Sequence, residues 1–246
     1  MKLSDHISLI ASGDNGLSMT NGLDCNVYLV DTGEGLLMID AGAGVDNDAI
    51  EREMIRDGYR LADVRWIVIT HAHADHAVGA PAFAAKCGAE IVTSPHEADV
   101  LSCQELLERT MEEYIAAGFY PAAYRFPVMS SVQTLQDGER LELGDVSLQA
   151  LVTPGHTGGC LCLYGKIDDR WVLFSGDVVF FDGYINLISI FDVDLLGYKQ
   201  SMARLAALEV DMLLPGHRQP LLRRGGAAIQ KAAAAFKRFG VPPSIC

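Results

Sequence analysis

Eleven residues, Trp66 to His76 (Trp-Ile-Val-Ile-Thr-His-Ala-His-Ala-Asp-His), constrain this chain more than any other stretch. The first half is β-branched and apolar and reads as a buried strand. The second half puts three histidines and one aspartate within six residues, on the loop that leaves the strand. Loops held by a rigid scaffold are where binding and catalytic groups concentrate. Histidine is scarce elsewhere, with seven in the whole chain. Packing does not explain such a cluster, because a core gains nothing from imidazoles that each need a hydrogen-bond partner.

Other apolar runs stop in the same way. Leu36–Ile39 ends at Asp40, Val146–Thr153 at Pro154-Gly155-His156, Trp171–Ser175 at Gly176-Asp177, and Asp211–Leu214 at Pro215-Gly216-His217. Strand ends that share one edge of a sandwich would converge on one site. The convergent set is His71, His73, His76, His156 and His217 with Asp75 and Asp177, and Asp40 lies behind it. Imidazole nitrogen and carboxylate oxygen suit borderline metals such as zinc, and a catalytic site keeps one position open for water. Seven ligands exceed one tetrahedral ion with an open position and fit two ions that share a bridging carboxylate. A closed structural zinc site calls for Cys-rich spacing, which is missing.

Taken in order, Ile7–Ile10 and Val27–Val30 read as opening antiparallel strands, and Val27–Val30 pairs with Leu36–Ile39 through the turn Asp31-Thr32-Gly33-Glu34-Gly35. Asp46 is a candidate N-cap for a helix to Arg56, with Ile50, Met54 and Ile55 on its inner face. Trp66–Thr70 follows as a strand, then a small-residue helix over Ala77–Cys87 ended by Gly88, then a strand at Glu90–Thr93. The stretch 95–127 departs from this rhythm. It reads as helical and carries Tyr114, Phe119, Tyr120, Tyr124 and Phe126. Such an insertion could lid a pocket, form a homodimer surface or add core, and His96 reads as an ordinary helix-entry residue. Strands return at Val146–Val152, Cys160–Tyr164, Trp171–Phe174 and Asp211–Leu214, with helices at Tyr198–Leu208 and Ala227–Phe239. No Pro/Ser-rich linker or charge block divides the chain, so residues 1–246 read as a single α/β domain with a helical insertion.

The formal net charge of −13 argues against a nucleic-acid or anionic-membrane partner and leaves a small-molecule substrate. The six cysteines are scattered and do not form a disulfide framework, and Cys160 and Cys162 read as buried structural thiols. Residues 1–10 offer no signal-peptide run, and no stretch has the apolar length of a membrane span. The expected setting is a reduced cytoplasm.

Thr-His-Ala-His-Ala-Asp-His resembles the His-x-His-x-Asp-His signature of the metallo-β-lactamase superfamily. Thr153-Pro154-Gly155-His156-Thr157, Ser175-Gly176-Asp177 and Leu214-Pro215-Gly216-His217 resemble its later motifs, in order. The resemblance implies a four-layer αββα sandwich with two divalent metal ions at one edge, zinc first, with iron or manganese as alternatives. By position, His71, His73 and His156 would bind the first ion, Asp75, His76 and His217 the second, and Asp177 would bridge them. Asp40 and Thr157 would order the loops behind the ligands.

The motif set is most similar to the glyoxalase II-like hydrolases, which cleave thioesters. The residues Phe181-Asp182-Gly183-Tyr184-Ile185-Asn186 stand where glyoxalase II has a Gly-Cys-Gly element. Quorum-signal lactonases share the ligand pattern and place a tyrosine where this chain has Phe180. The expectation is a hydrolase of an ester, thioester or lactone, acting through a hydroxide held between the two ions, with Asp75 orienting it and Asp177 bridging. Phe180, Tyr184, Tyr114 and Tyr120 are candidates for the substrate pocket. The alternatives are a persulfide dioxygenase with one iron, suggested by the Thr153–Cys160 stretch, and a non-catalytic metal-loaded binder of a small molecule.

Overall fold

Alternation along the strands sends neighbouring side chains into different cores, and that splitting builds the layers. A computed structural model describes residues 1–188 and 190–246. One sheet has the order β1-β2-β3-β4-β5-β6, from Ile7–Ala11, Val27–Asp31, Leu36–Ile39, Val64–Val68, Glu90–Thr93 and Gln133–Thr134. The other has the order β11-β10-β9-β8-β7, from Met212–Pro215, Arg170–Gly176, Leu161–Ile167, Val146–Val152 and Arg140–Leu143. Leu37, Ile39 and Val68 from the first sheet meet Leu148, Val172, Phe174 and Leu214 from the second in a shared central core. Their sequence neighbours point outward. Met38 and Ile67 pack under helices α1 (Asn47–Arg56), α3 (Ala80–Cys87), α4 (Pro95–Ser102) and α5 (Gln104–Ala116), whose Ile50, Phe83, Leu101 and Leu107 complete that layer. Leu173 and Leu213 pack under α6 (Leu195–Leu205) and α7 (Gly225–Lys237) through Tyr198, Met202, Ile229 and Phe236. Strands buried on both faces and covered by helices make the αββα sandwich.

Strand direction brings together the strand ends that carry the expected ligands. β3, β4 and β5 run parallel. In the second sheet β8 and β10 are each antiparallel to β9, and β10 is parallel to β11, so β8, β10 and β11 share one direction. Asp40, His71, His156, Asp177 and His217 therefore all follow the C-terminal ends of codirectional strands within their sheets.

Several local expectations shift. β4 runs Val64–Val68 in place of 66–70; the Ile69 amide still reaches the Val92 carbonyl at 2.9 Å, but the Thr70 amide turns to the Asp40 carboxylate at 2.8 Å. The small-residue helix is two pieces, α2 (Ala74–Ala77) and α3. Pro81 supplies no amide hydrogen for a continuous ladder, and the Gly79 amide turns to the Gly42 carbonyl at 3.0 Å. Gly88 ends α3 in the left-handed region, φ 75°, as its composition predicts. Asp46 caps α1 and Ile50 and Met54 are buried, but Ile55 is 61% exposed, one residue off the i, i+4 stripe. Among the described residues no helix is long and apolar enough to cross a membrane, and all six cysteines are free thiols.

Candidate metal centre

Asp40 begins the site. It ends β3 with φ 60°, a left-handed conformation that aspartate tolerates better than most residues. Its carboxylate accepts from the Thr70 amide at 2.8 Å, from Thr70 Oγ1 at 2.9 and 3.0 Å, and from His76 Nδ1 at 2.9 Å. Because Thr70 Oγ1 donates to Asp40, it is left to accept from His71 Nδ1, 3.1 Å away. His156 Nδ1 donates to the Asn186 carbonyl at 2.8 Å. Three imidazoles are thus tied by Nδ1–H to acceptors behind them, which fixes their ring orientation and turns the Nε2 atoms inward.

Those Nε2 atoms converge. His71, His73 and His156 form one cluster whose donor atoms lie within 4.8 Å of one another, and Asp75, His76 and His217 form a second. Asp177 touches both. Its Oδ1 lies 3.4 Å from His76 Nε2, and its Oδ2 lies 3.6 Å from His156 Nε2 and 3.4 Å from His217 Nε2. The Asp75 Oδ2 is 3.1 Å from His217 Nε2. His71 Nε2, His76 Nε2 and Asp177 Oδ1 are buried with no hydrogen-bond partner. Buried polar atoms are ordinarily paired, so three orphans aimed at one point, all of metal-ligand type, fit bound cations. Gly216 keeps the space open, since a Cβ there would lie 2.6 Å from the His76 ring.

The two clusters differ in charge. Burial, then the neighbouring imidazoles, hold His71 and His73 well below the usual histidine range, and burial lowers His156 against the pull of Asp177. In the second cluster burial also favours neutral imidazole, but the Asp75, Asp40 and Asp177 carboxylates together outweigh it and push His76 up to about 9. Asp177 and Asp75 likewise raise His217, against its burial. The same pairing holds Asp75 and Asp177 below the usual carboxylate range although burial opposes it.

Above the clusters lies a cavity of about 360 Å³. His73, Asp75, Asp177 and His217 form its floor, and Tyr114, Phe119 and Tyr120 of the insertion form a wall with Leu23, Ile188 and Ile245. Tyr120 Oη donates to Asp75 Oδ1 at 3.0 Å, and Tyr114 Oη lies 3.2 Å from His73 Nδ1. Of the four pocket candidates, Tyr114 and Tyr120 are thus on the cavity and Phe180 and Tyr184 are not. Phe180 is fully buried and stacks behind His217 with ring centroids 6.5 Å apart, while Tyr184 stacks on Phe181. β10 ends at Gly176, and the chain then folds back beneath the site, carrying both rings off the cavity side. Thr157 faces away from the ligands and donates to Glu97 Oε1 at 2.5 Å. His96 pairs with Asp192 at 3.1 Å in place of a bare helix entry.

Sequence reasoning passed over three residues that shape the site. Asn186 donates from Nδ2 to Asp177 Oδ2 at 2.7 Å while its carbonyl holds His156. Asn26 grips the His217 loop, donating from Nδ2 to the Pro215 and Arg218 carbonyls at 3.0 and 2.9 Å. Glu97 is fully buried between two ligand loops. Asn186 lies in the stretch that departs from the glyoxalase II pattern, and that departure was the one signal available for any of them.

The sequence model of the Metallo-beta-lactamase superfamily matches residues 20–217. The acyl-coenzyme A thioesterase MBLAC2 of Bos taurus is 28% identical over 239 residues, covering 88% of this chain and 83% of that protein. The lactamase-like protein vrtG of Penicillium aethiopicum is 26% identical over 97% of this chain, which spans only 62% of vrtG. Among solved structures, a metallo-beta-lactamase family protein of Thermus thermophilus superposes with a TM-score of 0.73 at 22% identity, covering 96% of this chain and 81% of that one. The subclass B3 metallo-beta-lactamase BJP-1 of Bradyrhizobium japonicum gives 0.70 at 23% identity, covering 97% and 91%. At those identities the two structures establish the fold alone. With the family match spanning all of the clustered histidines and aspartates, the chain belongs to the metallo-beta-lactamase superfamily.

Proposed function

We propose that this protein is a metal-dependent hydrolase of ester-type acyl bonds, an ester, thioester or lactone, with an acyl thioester as the leading substrate class. The observation that carries the reading is the set of orphaned, orientation-fixed ligand atoms under a walled, largely apolar cavity. His71, His73 and His156 would hold one divalent ion, Asp75, His76 and His217 a second, and Asp177 would serve both. Two such ions would lower the pKa of a water toward about 7 and polarise an acyl carbonyl.

The remaining work falls to the chain's own side chains. Asp75 presents Oδ2 to His217 and Oδ1 to Tyr120, so it can orient a water at the cavity floor and accept its proton. Burial, then the Asp75 charge, keeps the Tyr120 phenol protonated, so its one O–H stays on Asp75 Oδ1 and holds that carboxylate in place. Leu23, Phe119, Ile188 and Ile245 suit an uncharged apolar acyl group and exclude water around it. No Lys or Arg lines the cavity among the described residues. Arg218 borders it, donating to the Ile245 carbonyl at 3.0 Å, and offers a cation for an anionic leaving group outside. The relative named as an acyl-coenzyme A thioesterase supports the thioester over the other acyl bonds.

The test is metal analysis of the purified protein together with rates on matched acyl thioesters, aryl esters and lactones before and after chelation. Chelator-sensitive, metal-restored hydrolysis with thioester preferred is expected. Oxygen uptake with a persulfide and one iron per chain would replace the hydrolase reading, and metal uptake without turnover of any substrate would leave a binder.

A further inference from the structure

Glu97 is a fully buried carboxylate that no step of the proposed hydrolysis uses. It lies in the first turn of α4, after the N-cap Ser94. Three donors reach it from two loops. Its Oε2 accepts from the Ala72 amide at 2.7 Å, and its Oε1 accepts from Thr157 Oγ1 at 2.5 Å and the Gly159 amide at 3.0 Å. Ala72 sits between His71 and His73 on the loop after β4. Thr157 and Gly159 follow His156 on the loop after β8, in the other sheet. His96 beside it is engaged by Asp192, and among the described residues no salt bridge reaches Glu97. A charge buried this deeply persists only where bonds of this kind replace its water.

We infer that Glu97 is a positioning residue that sets the spacing of the three-histidine half of the site by clamping the His71–His73 loop to the His156 loop. The inference rests on the reading that His71, His73 and His156 hold a cation. Three other contacts join the same region. His156 Nε2 lies 2.9 Å from His73 Nδ1, a ligand-to-ligand contact that a bound cation would replace. Two bonds lie outside the ligands, the Leu161 amide to the Thr70 carbonyl at 2.8 Å and Ser94 Oγ to the Gly159 carbonyl at 2.6 Å. The first bond joins strand ends and the second ties the cap of α4 to the His156 loop, but neither reaches the residue between two ligands, which Glu97 grips together with that loop. Asp40 serves His76 directly and His71 through Thr70, and it has no bond to the His156 loop. Glutamine is a sharp probe because all three groups hydrogen-bonded to the Glu97 carboxylate are donors. Whichever way its amide turns, one backbone N–H, of Ala72 or of Gly159, meets an NH₂ group in place of an acceptor.

The experiment titrates chelator-stripped protein with Zn²⁺ by calorimetry, comparing wild type with Glu97→Gln, and repeats the pair in a His217→Ala background that isolates the three-histidine half. Weakening of the three-histidine step by about 10- to 100-fold is expected, with the other step and the circular dichroism of the metal-free protein unchanged. Thr157→Val, which removes one of the three bonds, should weaken the same step by less, and it decides the matter if Glu97→Gln does not fold. Wild-type Zn²⁺ affinity at the three-histidine step in whichever variant folds, or equal weakening of both steps, would overturn the inference while leaving the metal site standing. Failure of the wild type to take up Zn²⁺ would overturn the site reading, and the inference with it.

Discussion

The two halves of the cluster use one residue type in opposite ways. In the His71–His73–His156 half, burial and mutual repulsion hold the imidazoles neutral. In the Asp75–His76–His217 half, three carboxylates overcome burial and hold the imidazoles charged when no other cation is present. A divalent ion in the first half would meet lone pairs that are already free. In the second it would have to displace protons, at a place where the carboxylates have prepared a larger attraction for it. A histidine's part in a site is thus set by how many carboxylates share its burial, more than by the burial itself.

The largest test of that contrast is Asp177, whose carboxylate lies within 3.6 Å of imidazoles from both halves. Asp177→Ala should lower hydrolysis by more than about a thousandfold, several kcal/mol of lost stabilisation, and reduce the metal content of both halves. Retention of one fully occupied half, measured by elemental analysis, would show the halves to be independent. Asp40→Asn comes next. Affinity should fall about 10- to 100-fold in the Asp75–His76–His217 half and by less in the other, because the bond to His76 is direct and the link to His71 passes through Thr70.

The pH dependence of the chelated protein separates the halves by sign. His76 and His217 have raised values in the folded state, so their contribution is present below pH 6.5 and lost as the pH rises through the folded values, about 9 for His76. His71, His73 and His156 have lowered values, so they oppose folding as the pH falls below 6.5. Denaturation across pH should show two limbs, each changing by on the order of 1 kcal/mol per pH unit. His217→Gln should flatten the alkaline limb and His73→Gln the acid one. If both substitutions flatten the same limb, the contrast is wrong. The smallest effect belongs to Tyr120→Phe, which removes one hydrogen bond to Asp75. A fall of about 2- to 10-fold in kcat/KM is expected with metal content unchanged, and an unchanged rate would remove Tyr120 from the reaction.

Much of this was legible in the sequence. Apolar runs that stop at His, Asp or Pro-Gly-His announced five strand ends, and all five meet at one edge because local alternation fixes which strands are buried and the termini of those strands carry the ligands. Boundaries shifted where a side chain competed with the ladder, as Asp40 does for the Thr70 amide, and where Pro81 broke a helix that composition alone would have run on. Phe180 misled because proximity to Asp177 along the chain does not say which side of the loop faces the cavity, whereas Tyr114 and Tyr120, far from every ligand in sequence, line it.

By itself the sequence determined the clustered histidines and aspartates, their placement after strands and the family to which the chain belongs, since each depends on short-range pattern. Only the tertiary structure decided which imidazoles are neutral and which charged, which aromatics face the cavity, and that Glu97, Asn186 and Asn26 hold the loops. Those properties arise from contacts across separate loops, and burial strengthens them by lowering the dielectric around groups that the chain leaves far apart.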